Sequence, residues 1–326
     1  MKICLTANSG GHLNQLLQLK SFYKDYEYFF ITDRNAFSEE LAGKAKVYFV
    51  EKFIIREVII KLQFFKLFKN FFQTLRIFIK EKPDIVITTG AGVSFGALFL
   101  GKLFGYKTVF IESIARVYHP STFGTAIGKY ARNVIVQWKE MQKYYKKSVY
   151  GGLIFNFDDI KVNKIEKINN IFLTAGTYKL QFNRLFAEMD KIADKFNGCK
   201  VVGQIGMSDY IPQNYNYFDF CGQEELHKNI EQADLVICQG GSGSIMDSLL
   251  MGKRVIAIPR LPVYGEFFDD HQIQLTGELE KAGLILVVRD IHKLNDTIKA
   301  AVDFVPDYTG TSRSRFHDIL KKYLDS

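Results

Sequence analysis

The sequence predicts an α/β protein with two parallel sheets, because short apolar runs alternate with stretches of helical leucine and phenylalanine spacing. In the first half, KICLTA opens the series and DIVITTG continues it, each followed by a glycine-containing turn. A second series begins with NIFLTAG and continues with DLVICQGG. Strands that alternate with helices form parallel, doubly wound sheets. We therefore expect two Rossmann-like halves.

The chain length of 326 residues suits two domains of ordinary size. The strand and helix patterns assign residues 1–150 to a first domain and residues 169–305 to a second. Residues 151–168 follow neither pattern and are predicted to be a linker. Residues 306–326 end in helical spacing from Phe316 to Leu324, and we expect this segment to pack back on the first domain.

The net charge of +8 is unevenly distributed between the two halves. Residues 1–150 carry 23 Lys and Arg against 11 Asp and Glu, whereas the remainder carries 20 against 24. This asymmetry indicates an anionic partner for the first half, either nucleic acid or an anionic membrane surface. The four cysteines are far apart in the sequence, which disfavours a disulfide framework and predicts reduced thiols in a cytosolic protein.

A phenylalanine-rich stretch, residues 53–82, is the candidate membrane contact. It contains seven Phe, and eight Lys and Arg are interspersed between Lys52 and Lys82. The stretch has no uninterrupted apolar run long enough to span a membrane. Its excess of apolar residues with interspersed cations favours a helix that lies in the membrane interface. The alternative is an ordinary amphipathic helix packed on the sheet. In a nucleic-acid-binding surface, polar and stacking residues would be expected between the cations. In this stretch the cations flank aliphatic runs, which disfavours nucleic acid as the partner.

Four glycine-containing turns follow predicted strands, at the sheet edge where ligands of open α/β folds bind. Glycine lets the backbone approach a phosphate, and a following helix N-terminus offers free N–H groups. None of the turns reads GxGxxG or GxxxxGK[ST], so dinucleotide and P-loop sites lose support. The turns supply the candidate residues Ser9, Gly10, Gly11 and His12; Gly90 and Gly92; Gly176 and Thr177; and Gly240, Gly241, Ser242, Gly243 and Ser244.

The stretch QGGSGSIMDSLLMGK is the best candidate for a nucleotide site. Its helix would bind a diphosphate at the N-terminus, and Asp247 could accept the hydroxyls of a ribose. The alternative is that Asp247 only favours the helix dipole. A second cluster, PRLPVYGEFFDDHQIQL, offers polar side chains suited to sugar hydroxyls, and its adjacent carboxylates with one histidine make a poor metal site. Its candidates are Glu266, Asp270, His271 and Gln272.

A third cluster, FIESIARVYHP, follows another predicted strand. In the functional interpretation, Arg116 binds a phosphate and Glu112 lies near the reacting centre. In the structural interpretation, the two residues form a surface ion pair four positions apart on a helix, which contributes only a few tenths of a kcal/mol.

These motifs resemble a known family of glycosyltransferases. SGGH, PDIVITTGAG, VFIESIARV and VIVQW resemble the membrane-recruiting subunit of the eukaryotic two-subunit N-acetylglucosaminyltransferase of asparagine-linked glycosylation. IFLTAGTYKLQFNRL, ADLVICQGGSGSIMDSLLMGKRVIAIPR and YGEFFDDHQ resemble its catalytic subunit. Bacterial capsule and exopolysaccharide clusters carry homologous pairs, and the chain resembles such a pair fused in one polypeptide. It is more distantly similar to the peptidoglycan enzyme that forms lipid II.

The resemblance implies a family 28 glycosyltransferase of GT-B fold that needs neither metal nor cofactor. It implies a UDP-sugar donor, inversion at the anomeric carbon, and an acceptor sugar on a polyprenyl diphosphate. Enzymes of such clusters often form a β-1,4 linkage, and the expected location is peripheral, at the cytoplasmic face of the plasma membrane. By motif match, residues 240–244 would hold the UDP diphosphate, Asp247 would take the ribose, and His271 and Gln272 would contact the donor sugar. Arg184 is a further candidate on the donor side.

An inverting transfer also needs a base for the acceptor hydroxyl, and the basic first half should supply it. His12 and Glu112 are the candidates, and His12 is preferred because imidazole titrates near neutral pH. The eukaryotic membrane subunit begins with a transmembrane helix, and none is expected here, so we expect membrane attachment to depend on 53–82. Two alternatives stay open: a UDP-sugar epimerase of the same fold and a non-catalytic sugar-nucleotide binder. The donor sugar is also open among galactose, glucuronic acid, glucose and N-acetylglucosamine.

Overall fold

The computed structural model describes residues 1–53, 60–196, 198–309 and 314–325. The chain divides into two compact units. The first unit comprises Met1–Phe155 and Arg313–Ser326, and the second comprises Asn156–Ser312. Each unit carries its own parallel sheet, so the predicted pair of Rossmann-like domains is confirmed.

The described part of the first unit contains a seven-stranded sheet. In chain order its strands are β1 (Lys2–Ala7), β2 (Glu27–Thr32), β3 (Val47–Phe49), β4 (Ile85–Gly90), β5 (Lys107–Ile111), β6 (Asn133–Val136) and β7 (Ser148–Tyr150). Its helices are α1 (Gly11–Leu17), α2 (Lys20–Tyr23), α3 (Ala36–Ala42), α4 (Ile60–Glu81), α5 (Phe95–Leu103) and α6 (Thr122–Ala126). The spatial order is β3-β2-β1-β4-β5-β6-β7, with parallel pairing throughout.

This strand order divides the helices between the two faces of the sheet. The chain moves outward from β1 through β2 to β3 and then returns to β4, on the other side of β1. Because crossovers between parallel strands are right-handed, α1–α3 cover one face while α4 and α5 cover the other. The buried cluster that joins Phe78 of α4 and Ala97 of α5 to Cys4 and Val86 agrees with this arrangement.

Helix α4 packs on α5 through polar as well as apolar contacts. The Asn70 side chain is fully buried; its Nδ2 donates to the Val93 carbonyl at 2.9 Å, and its Oδ1 accepts from the Gly96 amide at 3.1 Å. The opposite side of α4 is exposed and apolar, with Phe65 67% and Phe68 59% exposed. The predicted interface stretch therefore has one buried face and one unburied apolar face; its residues 54–59 lie outside the described part. No described helix is both long and apolar enough to cross a bilayer.

The described part of the second unit contains a six-stranded parallel sheet in the order β10-β9-β8-β11-β12-β13, whose strands follow here in chain order. They are β8 (Asn170–Thr174), β9 (Lys200–Gln204), β10 (Asn216–Phe218), β11 (Leu235–Gln239), β12 (Arg254–Ile258) and β13 (Leu286–Val287). Its helices are α7 (Asn183–Ile192), α8 (Gln223–Gln232), α9 (Ser242–Leu250), α10 (His271–Lys281) and α11 (Leu294–Ala300). The core lies between this sheet and helices such as α7, whose Leu185, Phe186 and Met189 are fully buried.

The C-terminal helix, α12 (Ser314–Asp325), packs on the first unit. The His317 ring lies 6.0 Å from the Phe22 ring, and its Nε2 is 3.3 Å from Ser21 Oγ on α2. Near the other end of the helix, Lys107 donates to the Leu324 carbonyl.

In the second unit, the segment before β8 packs closely against Gly252. Gly252 adopts a φ of +68°, which disfavours any residue with a Cβ. A Cβ at this position would stand 2.5 Å from the Lys161 carbonyl oxygen. The Phe157 ring stacks on Tyr308 of the same unit at 5.1 Å. The chain therefore enters the second unit along a surface that requires glycine at 252.

Gly252→Ala should lower the free energy of unfolding by about 2–4 kcal/mol, because the new methyl group combines left-handed strain with a backbone clash. Urea denaturation followed by circular dichroism measures the loss. Gly277→Ala is the matched control, since Gly277 lies within α10 and a Cβ there meets nothing within 4 Å. The control should be neutral or stabilising by up to about 1 kcal/mol. Equal losses in both variants would contradict this account.

Candidate functional site

The loop between β1 and α1 is braced on both sides by side chains. Ser9 donates twice to Asp33, from its amide at 2.6 Å and from its hydroxyl at 2.9 Å. Asn8 Oδ1 accepts from the Val93 amide at 2.9 Å. A Cβ at Gly10 or Gly11 would meet no atom within 4 Å. The loop is thus fixed in position while its glycines leave open space above the backbone.

His12 is held in one tautomer by the neighbouring strand. Its Nδ1 lies 2.8 Å from the Thr89 carbonyl oxygen, so Nδ1 carries the proton and the lone pair is on Nε2. The Thr89 hydroxyl donates back to the His12 carbonyl at 2.7 Å. Burial lowers the pKa of His12 and outweighs the opposing Thr89 hydrogen bond, and the positive charges of Arg116 and Lys52 lower the pKa further. The ring is therefore a neutral base at neutral pH.

The turn after β4 is closed by packing rather than open to a ligand. Gly90 adopts a φ of +100°, and a Cβ there would stand 3.1 Å from the Phe123 ring. A Cβ at Gly92 would stand only 2.0 Å from the Phe53 carbonyl oxygen. Both glycines are thus required by the fold, whichever ligand the neighbouring loop binds.

Glu112 is buried and fully engaged at the end of β5. Only 1% of the residue is exposed. Its carboxylate accepts from the Ser113 amide at 2.9 Å, from the Ser121 amide at 3.1 Å and hydroxyl at 3.2 Å, and from the Tyr145 hydroxyl at 2.5 Å. Burial and the neighbouring carboxylate raise the pKa of Tyr145, which therefore stays protonated and donates. Residues 112–116 are not helical and Glu112 is buried, so the structural alternative of a surface ion pair between Glu112 and Arg116 at helical spacing is wrong. Arg116 is half-buried.

Two buried glutamines that sequence reasoning missed connect the loops of the first unit. Gln15 Oε1 accepts from the Ile114 amide at 3.1 Å and from Gln137 Nε2 at 2.9 Å. Gln137 also donates to the Glu112 carbonyl at 3.0 Å and accepts from the Ile154 amide at 2.9 Å. The only sequence signal was a polar residue at a core-facing position of α1 and another after β6.

In the second unit, the anion site expected from the sequence lies at the N-terminus of α9. Gly241 is its N-cap and makes no side-chain capping hydrogen bond, so the first-turn amides of Ser242, Gly243 and Ser244 have no intrahelical acceptor. A Cβ at Gly243 would meet no atom within 4 Å, whereas one at Gly241 would stand 2.3 Å from Gln239 Nε2. A Cβ at Gly240 would likewise stand 3.0 Å from the Thr276 side chain. Asp247 is half-buried one turn further along α9.

The turn after β8 differs from the sequence prediction. Gly176 has a φ of +68° and its amide donates to Thr174 Oγ1 at 2.9 Å, while Thr177 is exposed. We expected a helix N-terminus at 176–177, and this is wrong because α7 begins only at Asn183. The intervening loop places residues 177–182 between the strand and its helix.

Arg184 and Glu266, both expected on the donor side, form an ion pair with one another. Arg184 Nε lies 2.7 Å from Glu266 Oε1, and its Nη2 lies 3.0 Å from Oε2. Glu266 is fully buried and also accepts from the Leu261 amide at 3.0 Å. The pair joins α7 to the loop after β12.

Arg260 and Gln272 extend this buried polar network. The fully buried Arg260 guanidinium donates to the carbonyls of Ala175 at 2.9 Å and Gln181 at 2.7 Å. Gln272 accepts from the Arg260 amide at 2.9 Å and donates to Gln239 Oε1 at 2.9 Å. These side chains fix the loops after β8, β11 and β12 relative to one another.

His271 and Asp270 stand at the start of α10. His271 Nδ1 lies 2.5 Å from Asp269 Oδ1, and its ring contacts the Phe267 ring edge-on at 4.8 Å. Asp270 is the N-cap residue of the helix and makes no side-chain capping hydrogen bond. Across the described residues, no group of three His, Cys, Asp or Glu side chains is arranged to hold a metal ion.

Two family descriptions match separate halves of the chain. Residues 3–154 match the family described as "Oligosaccharide biosynthesis protein Alg14 like". Residues 170–322 match the "Glycosyltransferase family 28 C-terminal domain". The two matches correspond closely to the two sheets.

Relatives and solved structures agree with these matches. A Borreliella burgdorferi protein named UDP-N-acetylglucosamine--N-acetylmuramyl-(pentapeptide) pyrophosphoryl-undecaprenol N-acetylglucosamine transferase is 24% identical, covering 77% of this chain and 74% of the relative. MurG of Acinetobacter baumannii shares the fold with a TM-score of 0.65 at 15% identity, covering 100% of this chain and 99% of that chain. A Neisseria meningitidis UDP-GlcNAc 2-epimerase reaches a TM-score of 0.69 at 9% identity, covering 99% of each chain. The chain is a glycosyltransferase of GT-B fold, whose first half is similar to the Alg14-like family and whose second half is similar to the family 28 C-terminal domain.

Proposed function

We propose that the protein transfers a sugar from a UDP-sugar to a saccharide carried on a polyprenyl diphosphate, with inversion at the anomeric carbon. The names of the relatives support this choice, since they specify a UDP-N-acetylglucosamine donor and a pyrophosphoryl-undecaprenol acceptor. The observation that carries the proposal is the uncapped N-terminus of α9, where open glycine backbone and free amides suit a diphosphate.

On the donor side, the amides of Ser242, Gly243 and Ser244 would stabilise the charge of the departing UDP without a metal. Asp247, one turn further on, would accept the ribose hydroxyls. Thr177, Asp270 and His271 would contact the sugar from neighbouring loops. Arg184, Glu266 and Gln272 act indirectly in this scheme, because their polar atoms already hold the loops together.

On the acceptor side, His12 would be the general base. Its Nε2 takes the proton of the acceptor hydroxyl while that oxygen attacks the anomeric carbon, and the bond to UDP breaks with its electron pair on the phosphate. Arg116 and Lys52 contribute positive charge near His12, which suits an acceptor diphosphate. Gly10 and Gly11 leave space for the acceptor to approach the backbone.

Glu112, the other candidate base, acts instead as a positioning residue. All four of its hydrogen bonds come from protein donors, and they tie β5 to the loop that contains Arg116. A carboxylate so engaged is poorly available to an acceptor hydroxyl.

The exposed phenylalanines of α4 provide the proposed membrane contact. Phe65, Phe68 and Phe72 recur at helical spacing on one side of the helix, and Lys69 and Arg76 lie beside them. Such a face suits a helix that lies in the interface of an anionic membrane. We therefore place the enzyme peripherally at the cytoplasmic face of the plasma membrane. A β-1,4 linkage and a role in capsule or exopolysaccharide synthesis remain predictions from the sequence resemblance.

A UDP-sugar at 100 times its Kd should stabilise the protein by about 2.7 kcal/mol. Thermal shift against UDP-N-acetylglucosamine, UDP-galactose, UDP-glucose and UDP-glucuronate identifies the donor. Gly243→Val should abolish the shift without unfolding the protein, because the side chain enters open space above the proposed diphosphate site. Gly277→Val, also at an open helical position, should retain it. If no UDP-sugar stabilises the wild type, the proposed donor is wrong.

His12→Ala should reduce kcat by about 10²–10⁴-fold under saturating donor and acceptor, as expected for loss of a general base. His119→Ala, at an exposed histidine of the same unit, should leave kcat unchanged. Because the pKa of His12 is lowered, the wild-type enzyme should keep most of its kcat at pH 6.5, where a free imidazole is half-protonated. A kcat that already falls by half near pH 7.5, or near wild-type turnover of His12→Ala, would exclude this base.

Glu112→Ala should lower the free energy of unfolding by about 3 kcal/mol, because it leaves buried donors without an acceptor. Glu112→Gln keeps an acceptor oxygen and should retain turnover within about tenfold of wild type. The exposed Glu140 gives a control, Glu140→Ala, with an expected change below about 0.5 kcal/mol. A stable Glu112→Gln variant with turnover reduced as in His12→Ala would instead make Glu112 the base.

A further inference from the structure

A buried pair of amide side chains joins the polar loops at the edge of the first sheet where its strands end. Gln137, which directly follows β6, is 1% exposed, and Gln15 of α1 is 2% exposed. Gln137 Nε2 donates to Gln15 Oε1 at 2.9 Å and to the Glu112 carbonyl at 3.0 Å. Its Oε1 accepts from the Ile154 amide at 2.9 Å. One side chain thus binds α1, the loop after β5 and the segment that follows β7.

The backbone fixes the direction of the hydrogen bonds in this pair. The Ile114 amide can only donate, so Oε1 of Gln15 must face it, at 3.1 Å. The Ile154 amide fixes Oε1 of Gln137 in the same way. The Nε2 groups must therefore point the other way, and turning either side chain over would set donor against donor. The pair consequently holds one arrangement.

Gln15 ties the first turn of α1 to the loop after β5. Its Nε2 lies 3.3 Å from the Gly11 carbonyl and 3.4 Å from the Ser113 hydroxyl. Gly11 is the first residue of α1 and His12 is the second. The turn that carries His12 and the loop that carries Ser113 are therefore joined through a single side chain, which Gln137 holds in turn.

The loop after β5 is held group by group along its backbone. The Ile114 amide donates to Gln15, and the Ile114 carbonyl accepts from the Trp138 indole N–H at 2.7 Å. The Ser113 carbonyl accepts from the Arg116 amide at 3.0 Å. Buried backbone groups need such partners, and here side chains of α1 and of the residues after β6 supply them. The position of Arg116 relative to α1 thus depends on these side chains.

We propose that Gln137 is a positioning residue for the transfer reaction, which through Gln15 holds the turn of His12 against the loop of Arg116. The proposal rests on the function proposed above for His12. Neither amide is placed to contact a substrate, because both are buried and their N–H groups donate to protein acceptors. Misplacement of a reacting group by about 1 Å can lower a rate about 10²-fold, so the pair would act on kcat rather than on substrate binding.

Gln137→Leu removes these hydrogen bonds and keeps a side chain of similar size. Under saturating donor and acceptor it should lower kcat by about 10–100-fold, while the donor KM stays within about threefold of wild type. If the amide only satisfied buried backbone groups, its loss would lower stability and leave the kcat of the folded enzyme unchanged. An unchanged kcat in folded Gln137→Leu would therefore overturn the proposal.

Thr108→Val is the matched control for loss of a buried polar group. Thr108 is 1% exposed and accepts from the Arg132 amide at 2.8 Å, at the edge of the same sheet where strands begin. Both Thr108→Val and Gln137→Leu should unfold at a lower urea concentration than wild type, and only Gln137→Leu should lose turnover. Equal losses of turnover in the two variants would mean that any buried defect has this effect, and the proposal would be wrong.

Gln15→Leu and the double variant Gln15→Leu/Gln137→Leu test whether the two amides act as a unit. The kcat of the double variant should fall about as far as that of the more impaired single variant, because the connection is already broken. Losses that multiply would show independent action and would contradict the coupling through Gln15.

Titration of His12 by nuclear magnetic resonance gives a readout that needs no turnover. In the wild type, burial and the positive charges of Arg116 and Lys52 lower the pKa of His12. In Gln137→Leu that pKa should rise toward the value of a free imidazole, about 6.5, because the ring is less enclosed and Arg116 is less closely held. Thr108→Val should leave the pKa unchanged, and His12→Ala identifies the signal. A reduced kcat with an unchanged pKa of His12 would refute the positioning role.

The outcomes separate this proposal from the proposed function. If His12→Ala retains turnover, the base is wrong and the role of Gln137 in the reaction fails with it. If His12→Ala loses turnover while Gln137→Leu keeps both its kcat and the pKa of His12, the base stands and only the positioning role is wrong.

Discussion

The parallel direction of every strand is the constraint on which both units depend. A parallel strand cannot be joined to its neighbour by a hairpin, so each connection must cross a face of the sheet and return to the starting edge. The loops that follow β1, β4 and β5 are therefore gathered at one edge of the first sheet, and those after β8, β11 and β12 at one edge of the second. The polar residues considered for catalysis stand in these loops because of this topology.

Many of the polar side chains at these edges form hydrogen bonds or ion pairs with other groups of the protein. Asp33 braces Ser9, Glu112 braces Ser121, and Arg184 pairs with Glu266. Buried polar groups need partners, and satisfying them here gives the loops fixed positions. Against this background the open backbone at Gly10 and Gly243 stands out, because nothing in the described protein fills the space beside it. Rigid loops with small open gaps suit a reaction that requires exact placement of two substrates.

The sequence was sufficient for features that depend on local pattern. The apolar runs KICLTA, DIVITTG, NIFLTAG and DLVICQGG located β1, β4, β8 and β11, and the excess of phenylalanine located α4. The helix N-terminus expected at 176–177 is absent, because TAGT resembles a strand-to-helix turn but the chain inserts a loop before α7 begins at Asn183. Roles that depend on distant partners were also beyond local pattern. The sequence around Glu266 does not indicate that its carboxylate pairs with Arg184, which lies 82 positions away. Similarly, Gln15 and Gln137 come within hydrogen-bond distance only in the folded sheet.

The hydrogen bond between His12 and the Thr89 carbonyl determines how a proton could travel. A carbonyl oxygen accepts a hydrogen bond but does not take the proton away. Under the proposed mechanism, a proton that arrives at Nε2 must also leave from Nε2. The glycosylated product stands over that nitrogen after transfer, so the ring could be reset only once the product has moved and water has reached it. Product release would then have to precede deprotonation of His12, and the Thr89 carbonyl of the neighbouring strand would impose this order.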